Sequence, residues 1–331
     1  MSQHSQSQPP QQHFPVLLQK CVDLLKPALT ARGSVMIDGT LGLGGHTEAV
    51  LTQIPTVTVI GIDRDQQALG IAKNRLAPFG QRFLAVHATY DQMPRVIAAQ
   101  GLTRVDGILL DLGISSLQID ESARGFSYAK DAPLDMRMDQ SAGPTAANIL
   151  NTYDEASLKH ILYTYGEEKF APKIAHLIVT LRDNQPWETT AQLAQAVDNA
   201  IPHKAKKTGG HPAKRTFQAL RIEVNQELSC LADTIPAAID CLKVGGRIVV
   251  ESYQSLEDRI VKREFAKGFT DSAPVGLPQQ LPEHAPYLKD LTRGAIKADK
   301  TELAQNSRAA PVRLRAAERI RESARGSQVL P

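Results

Sequence analysis

Several scarcities narrow the class of this 331-residue chain. It has three cysteines, Cys21, Cys230 and Cys241, and no CxxC pair among them. That excludes a disulfide framework and points to a reducing compartment in which the three pack as small apolar side chains. No apolar run approaches the ~20 residues that span a bilayer, and residues 1–12 are Ser-, Gln- and Pro-rich without the apolar centre of a signal peptide. The expectation is a disordered tail over 1–12 on a cytoplasmic protein with no membrane partner. Net charge is only +3 and the isoelectric point about 8.7. Any affinity for nucleic acid must therefore come from local patches rather than from the field of the whole molecule. The nine histidines show neither HExxH spacing nor cysteine partners, and Asp63 with Asp65 offers too few ligands, so no metal site is expected.

What the chain does have is an ordered set of motifs, each following an apolar run of β type. They are MIDGTLGLGGH at 36–46, GIDRD at 61–65 and LLDLGISSLQ at 109–118. Gly42, Gly44 and Gly45 let the chain turn tightly after a short buried strand and bring backbone N–H groups against a ligand. Asp63 ends the next strand about 20 residues further on, where a carboxylate can accept from both hydroxyls of a ribose. A plain strand-to-helix turn with a capping aspartate is the competing reading of the same letters, and the spacing of Asp63 favours a nucleoside cofactor. The dinucleotide fingerprint would need a third glycine at 47, where the chain has Thr47, and no lysine follows as in a P-loop. A cofactor without a pyrophosphate, such as S-adenosylmethionine, fits better than a nicotinamide.

Helical patterns at 16–25, 47–53, 66–76 and 91–100 alternate with strand patterns at 35–37, 57–62, 83–86 and 105–110. This is an α/β rhythm, expected to give a parallel, doubly wound, Rossmann-like sheet covered on both faces. From 146 to 232 the period becomes helical throughout. Leu158, Ile161, Leu162 and Tyr165 form one stripe, and Ile174, Leu177, Ile178 and Leu181 a second. Thr189 with Gln192 is a capping box opening a third helix, and Phe217, Leu220, Val224, Leu228 and Leu231 mark a fourth. The strand pattern resumes at 245–250, with a helix at 256–266 and strands at 287–290 and 312–315 to follow. The expected organisation is a sheet domain formed by 13–145 and 233–331 with an inserted all-helical, substrate-recognising domain at 146–232.

Methylation of a pyrimidine carbon would need a nucleophilic cysteine in a polar setting, and these three lie in apolar helical sequence. Methylation of an exocyclic amine needs instead fixed acceptors for its N–H groups and an in-line methyl donor. In a doubly wound sheet that site lies at the carboxyl end of the fourth strand, which places Asp111 and the Gly113–Ser116 stretch beside the cofactor. The Asp/Asn-Pro-Pro-aromatic motif of many amino-methyltransferases is absent there. Two patches could hold a substrate. The first gathers Lys204, Lys206, Lys207, His211, Lys214 and Arg215 around Gly209 and Gly210, with Arg221 beyond, and suits phosphates; a solvated basic loop would look the same. The second, Arg124, Phe126, Tyr128, Met136 and Arg137, could stack on or clamp an extruded base, although Arg137 could equally pair with Asp135 or Asp139. Arginines at 308, 313, 315, 319, 321 and 325 add positive charge at the end.

Taken with HFPVLL at 13–18, DGILLDLGISSLQ at 106–118, RGFSY at 124–128 and PLDMRMD at 133–139, the chain resembles the bacterial ribosomal small-subunit RNA (cytosine-N4)-methyltransferase family. YGEEKFAPKIA at 165–175, HPAKRTFQALRIEVNQEL at 211–228 and GGRIVVESYQSLEDRIVKREF at 245–265 extend the match nearly end to end. The resemblance implies an enzyme of the Rossmann-like class I methyltransferase fold. Its reaction would move a methyl group from S-adenosyl-L-methionine to the N4 amine of a specific cytidine of 16S ribosomal RNA near the decoding centre. The partner would be 16S rRNA or the 30S subunit, and a homodimer is compatible with it. Carried over by position, Gly44, Gly45, His46, Asp63, Tyr90, Asp111 and Gln118 would hold the cofactor, and Asp111, Ser115 and Ser116 would stand at the reacting end. Arg124, Phe126, Arg137, Lys206, Lys207, His211, Lys214 and Arg215 would meet the RNA. Two departures stand out: Tyr90 replaces the usual Phe, keeping the stacking face, and NSRAAPVRLRAAER replaces a Ser-Ala-Lys-Leu-Arg core. A non-catalytic ribosome-assembly factor built on the cofactor fold, and a nicotinamide-dependent oxidoreductase, are the competing classes.

Overall fold

The computed structural model of the chain describes residues 15–202, 211–271, 273 and 284–322. The tail at 1–12, Lys204, Lys206, Lys207, Gly209, Gly210 and Arg325 lie outside the described residues.

Helix α1 (Leu18–Leu29) leads into β1 (Val35–Asp38), α2 (Gly45–Gln53), β2 (Thr58–Asp63), α3 (Gln66–Leu76), β3 (Phe83–His87), α4 (Met93–Ala99) and β4 (Val105–Asp111). These bounds lie within a few residues of the sequence expectation, the largest difference being at α1. Four strands are parallel neighbours in the order β3-β2-β1-β4, and β5 (Leu242–Ser252) extends the sheet in parallel beyond β4. β7 (Arg313–Arg319) then pairs antiparallel with β5, and β6 (Leu288–Asp290) antiparallel with β7, completing seven strands. The strand expected at 312–315 thus runs longer.

Alternate residues serve opposite layers, as the period of two requires. Met36, Val59, Leu109 and Val249 pack under α1, α2 and α3. Ile37, Ile60, Ile108, Leu110, Ile248 and Val250 face the other side with α4 and the later helices. Each such aliphatic side chain taken fully from water contributes about 1.5–3 kcal/mol, which is why near-continuous apolar runs become central strands. From β1 the connections move outward to β2 and β3, whereas β4 lies on its other flank. Chain leaving β1 and β4 therefore diverges and opens a crevice at their carboxyl ends.

Between β4 and β5 lie the short helix α5 (Ser116–Asp120) and a helical block: α6 (Ala146–Thr152), α7 (Glu155–Thr164), α8 (Ala171–Arg182), α9 (Thr190–Ala200) and α10 (Lys214–Asn225). The Thr189/Gln192 capping box opens α9 as expected. The fourth helical pattern, expected to be continuous from Phe217 to Leu231, is cut at Gln226, whose φ of 51° is left-handed. A second helix, α11 (Glu227–Cys241), starts there in a new direction. Leu231, Ile235 and Ile239 consequently pack with the sheet, while Leu134 and Met136 pack with the helical block. The two hydrophobic cores therefore exchange partners away from positions 146 and 232. α12 (Ser255–Phe269) and α13 (Lys300–Gln305) complete the chain. Among the described residues no helix is long and apolar enough to cross a membrane.

Candidate active site

The crevice is built from the ends of β1, β2 and β4. Gly39 N–H donates to Leu109 O at 2.9 Å, and a Cβ on Gly39 would stand 2.6 Å from Leu110 Cδ2, so only glycine lets the two strands part this closely. Asp38, buried at the end of β1, accepts from Thr47 Oγ1 at 2.6 Å and from Thr40 N–H at 3.2 Å. Burial pushes its carboxyl up to about 6. Asp63 accepts from Gly42 N–H at 2.7 Å and Asp65 N–H at 2.8 Å, and burial raises its pKa against those two donors. The turn between them holds Gly42 and Gly44 at φ 51° and 80°. A Cβ on Gly42 would have only Thr40 O within 4 Å, so this face is open to a ligand. Gly44 and Gly45 are also needed for packing: a Cβ there would lie 2.9 Å from Leu76 Cδ1 and 2.4 Å from Pro15 Cγ, respectively.

Tyr90 lies beside Gly39, with the Arg64 guanidinium 5.8 Å from its ring centre and its hydroxyl donating to Glu227 O at 3.4 Å. Burial raises its pKa well above the ordinary value. Asp111 ends β4, and its N–H donates to Thr40 Oγ1 at 2.6 Å. Its carboxyl, pushed up to about 6 by burial against a hydrogen bond from Tyr253, stands 3.8 Å from His46 Nδ1. The other nitrogen of that ring, Nε2, is 3.2 Å from Val16 O and 3.4 Å from Glu251 Oε2. Burial lowers the pKa of His46 and, with Asp111, raises that of Glu251 well above its usual range. The crevice is thus ringed by the carboxyls of Asp38, Asp63 and Asp111. That set suits a ligand offering hydroxyls and positive charge and opposes a pyrophosphate.

Gly113, at φ 103°, follows Asp111, and a Cβ on it would meet only Tyr253, at 3.8 Å. Ser115 and Gln118 then form a capping box on α5: Gln118 N–H donates to Ser115 Oγ at 3.3 Å and Ser115 N–H to Gln118 Oε1 at 3.1 Å. The Ser115 hydroxyl is therefore engaged in the cap, and Ser116 is the first residue of α5. Gln118 is buried, and its Nε2 donates to Asp65 Oδ2 at 3.0 Å.

The residues expected to meet the substrate divide. Arg124 is 3% exposed and pairs with Asp65 Oδ2 at 3.0 Å. It also donates through Nη2 to the carbonyls of Arg137 and Met138, while its buried Nε has no partner. Its role is to fix the loop, which corrects the expectation of direct contact. Phe126 lies with its ring centre 6.0 Å from that guanidinium. Arg137 is bidentate to Asp135, with both distances 2.8 Å. Arg221, read as an extension of the basic patch, is turned inward onto Glu227 at 2.8 and 2.9 Å. His211, Lys214 and Arg215 are exposed, and the His211 ring stacks on Tyr128 with centroids 4.5 Å apart. The two patches inferred separately thus meet. Among the C-terminal arginines, Arg315 and Arg313 hold Asp258, and Arg319 is buried on the carbonyls of Ile239, Asp240 and Leu242. The charge of these three is neutralised or enclosed.

Four residues were given no part in the site from sequence. Asp65 caps α3 and receives Gln118 and Arg124. Asn225 accepts from Met138 N–H and donates to Met136 O, each at 2.8 Å, while its own carbonyl accepts from Arg64 at 2.8 Å. Tyr253 hydrogen-bonds Asp111. Glu251 is fully buried, and its acidity inside the apolar run GGRIVVES was the one signal legible beforehand.

Residues 10–320 match the model of the MraW methylase family. A "Ribosomal RNA small subunit methyltransferase H" of Beutenbergia cavernae is 60% identical over 309 residues, covering 93% of each chain. The protein of that name from Kocuria rhizophila is 56% identical, over 95% of this chain and 96% of its own. That from Clavibacter michiganensis is 58% identical, over 93% and 97%.

Proposed function

The chain belongs to the MraW methylase family, and from that premise we propose that it transfers a methyl group from S-adenosyl-L-methionine to the N4 amine of a cytidine in 16S ribosomal RNA. The observation that carries the reading is the convergence of an open glycine turn, Asp63, Tyr90 and Asp111 at the divergence of β1 and β4. When bound, S-adenosylmethionine supplies an electrophilic methyl on a sulfonium centre. Asp63, already steadied by two backbone N–H groups, keeps lone pairs for the ribose hydroxyls. Tyr90 presents a flat face to the adenine. Asp111 accepts a hydrogen bond from an N–H of the target amine, which localises the lone pair on the attacking nitrogen, and it takes up that proton as the nitrogen gains the methyl group and becomes positive. The carboxylate of Asp111, at the methyl end, favours the cationic methyl donor over its neutral product.

On the substrate side, Phe126 and the Tyr128–His211 stack offer aromatic faces beside the exposed charges of Lys214 and Arg215, as an extruded base with its flanking phosphates requires. The helical block is the element that meets the RNA, with the 30S subunit or its 16S RNA as partner and the cytoplasm as the place of work. The test is transfer of labelled methyl to 30S subunits lacking the modification, followed by nucleoside analysis, with Asp111→Ala beside wild type. Label in N4-methylcytidine that disappears in the variant supports the reaction and the residue together. Cofactor binding without any transfer would overturn the catalytic reading in favour of an assembly factor.

A further inference from the structure

Behind the crevice, three side chains from distant parts of the chain meet in the interior. Cys21 comes from the buried face of α1, His46 from the first turn of α2 and Glu251 from near the end of β5, and all three are buried. Their ligand atoms lie within 4.8 Å of one another. Glu251 is fully enclosed, and neither carboxyl oxygen is matched by a hydrogen-bond donor of ordinary geometry. An ionised carboxylate in that position costs several kcal/mol unless it is paired or coordinates a metal.

We propose that Cys21, His46 and Glu251 form a binding site for a divalent transition metal of the zinc class, pinning α1 and the start of α2 to the end of β5. The ligand chemistry fits: a thiolate, an imidazole and a carboxylate are donors zinc accepts, and the two anions cancel its charge, with the fourth tetrahedral position left to a small exogenous ligand. The geometry fits as well. Ligand bonds of about 2.0–2.3 Å put neighbouring donors about 3.3–3.7 Å apart in a tetrahedron, and His46 Nε2 lies 3.4 Å from Glu251 Oε2. In the structure His46 Nε2 donates to Val16 O at 3.2 Å, so metal binding exchanges that N–H for a metal bond and moves the ring proton to Nδ1, which faces Asp111 Oδ2 at 3.8 Å. A carboxylate behind a histidine in this way is the usual outer partner of a metal-bound imidazole. Binding releases the thiol proton of Cys21 and any proton held by Glu251, so occupancy strengthens as pH rises.

The test uses the full chain, freed of any affinity tag and chelator, incubated with equimolar zinc and desalted. Elemental analysis is expected to return about one zinc per chain for wild type and less than about a tenth of that for Cys21→Ser and Glu251→Gln. Cobalt in place of zinc is expected to give wild type a thiolate-to-cobalt charge-transfer band that Cys21→Ser lacks. Because this band is read on the wild-type protein, it decides even if a variant fails to fold. Folded wild type that retains no zinc and shows no such band would overturn the site and leave Glu251 as a protonated acid beside the Cys21 thiol. Zinc retained in full by Cys21→Ser would overturn it equally.

Discussion

Gln118 Nε2 donates to Asp65 Oδ2 at 3.0 Å, on the same oxygen that pairs with Arg124 at 3.0 Å. One carboxylate thus caps the helix after β2, fixes the helix after β4 and anchors the loop that follows. Its side chain and that of Arg124 are 4% and 3% exposed, so neither charge has water to fall back on.

Asp65→Ala should therefore destabilise the protein by about 3–5 kcal/mol, the cost of stranding a buried guanidinium. The Asp65→Ala, Arg124→Met double variant should lose clearly less than the sum of the singles. Urea unfolding of all four proteins measures both; a cost under 1 kcal/mol for Asp65→Ala would remove the anchoring role.

Asp63 is assigned to the ribose, a part common to the cofactor and its demethylated product. Asp63→Ala should weaken S-adenosylmethionine and S-adenosylhomocysteine by the same factor, about 10–100-fold. Titration calorimetry with the two ligands checks this. A loss confined to one of them would move Asp63 to the methyl end.

Lys214 and Arg215 are exposed on the first turn of α10 beside the Tyr128–His211 stack. Replacing both by Glu should raise KM for the 30S substrate and lower the salt dependence of RNA binding by about 0.7–0.9 logarithmic units per lost phosphate contact. Affinity for S-adenosylmethionine should not change. Filter binding across a salt series, with calorimetry for the cofactor, separates the two effects.

Asp258 gives a pH test away from the crevice. Burial works against its ionisation, but hydrogen bonds and charge from Arg315 and Arg313 outweigh it and hold the carboxyl below its ordinary value. A depressed folded pKa contributes stability that is present above the ordinary aspartate value of about 3.9 and is lost as pH falls through the folded value. Asp258→Asn should cost about 1–2 kcal/mol at pH 7 and progressively less below pH 4. An equal cost at pH 7 and pH 3 would show that packing, not the ion pairs, is at stake.

The sequence made the periodic features plain, because buried strands and amphipathic helices leave their mark in neighbouring letters. The strands β1 to β4, the capping box at Thr189 and the placing of Asp63 after the glycines all follow from local chemistry. Gln226 escaped because a single left-handed residue redirects a helix without disturbing the spacing of Phe217, Leu220, Val224 and Leu231. The arginines were overread for a different reason. Arg124, Arg221 and Arg319 look like surface charge when counted, yet their partners Asp65, Glu227 and the Ile239–Leu242 carbonyls are supplied by the fold. Cys21, His46 and Glu251 meet across three elements, where a search for spacing along the chain has nothing to register.

Asn225 holds the Met136–Met138 loop through its amide and Arg64, the neighbour of Asp63, through its carbonyl. The loop proposed to meet the RNA and the turn proposed to hold the ribose therefore share one reference point. In thermodynamic terms the two ligands become linked, and linkage is reciprocal: whatever factor the cofactor adds to RNA affinity, RNA returns to the cofactor. A coupling through Asn225 would show as one and the same factor in two titrations, the cofactor with and without RNA and the RNA with and without cofactor.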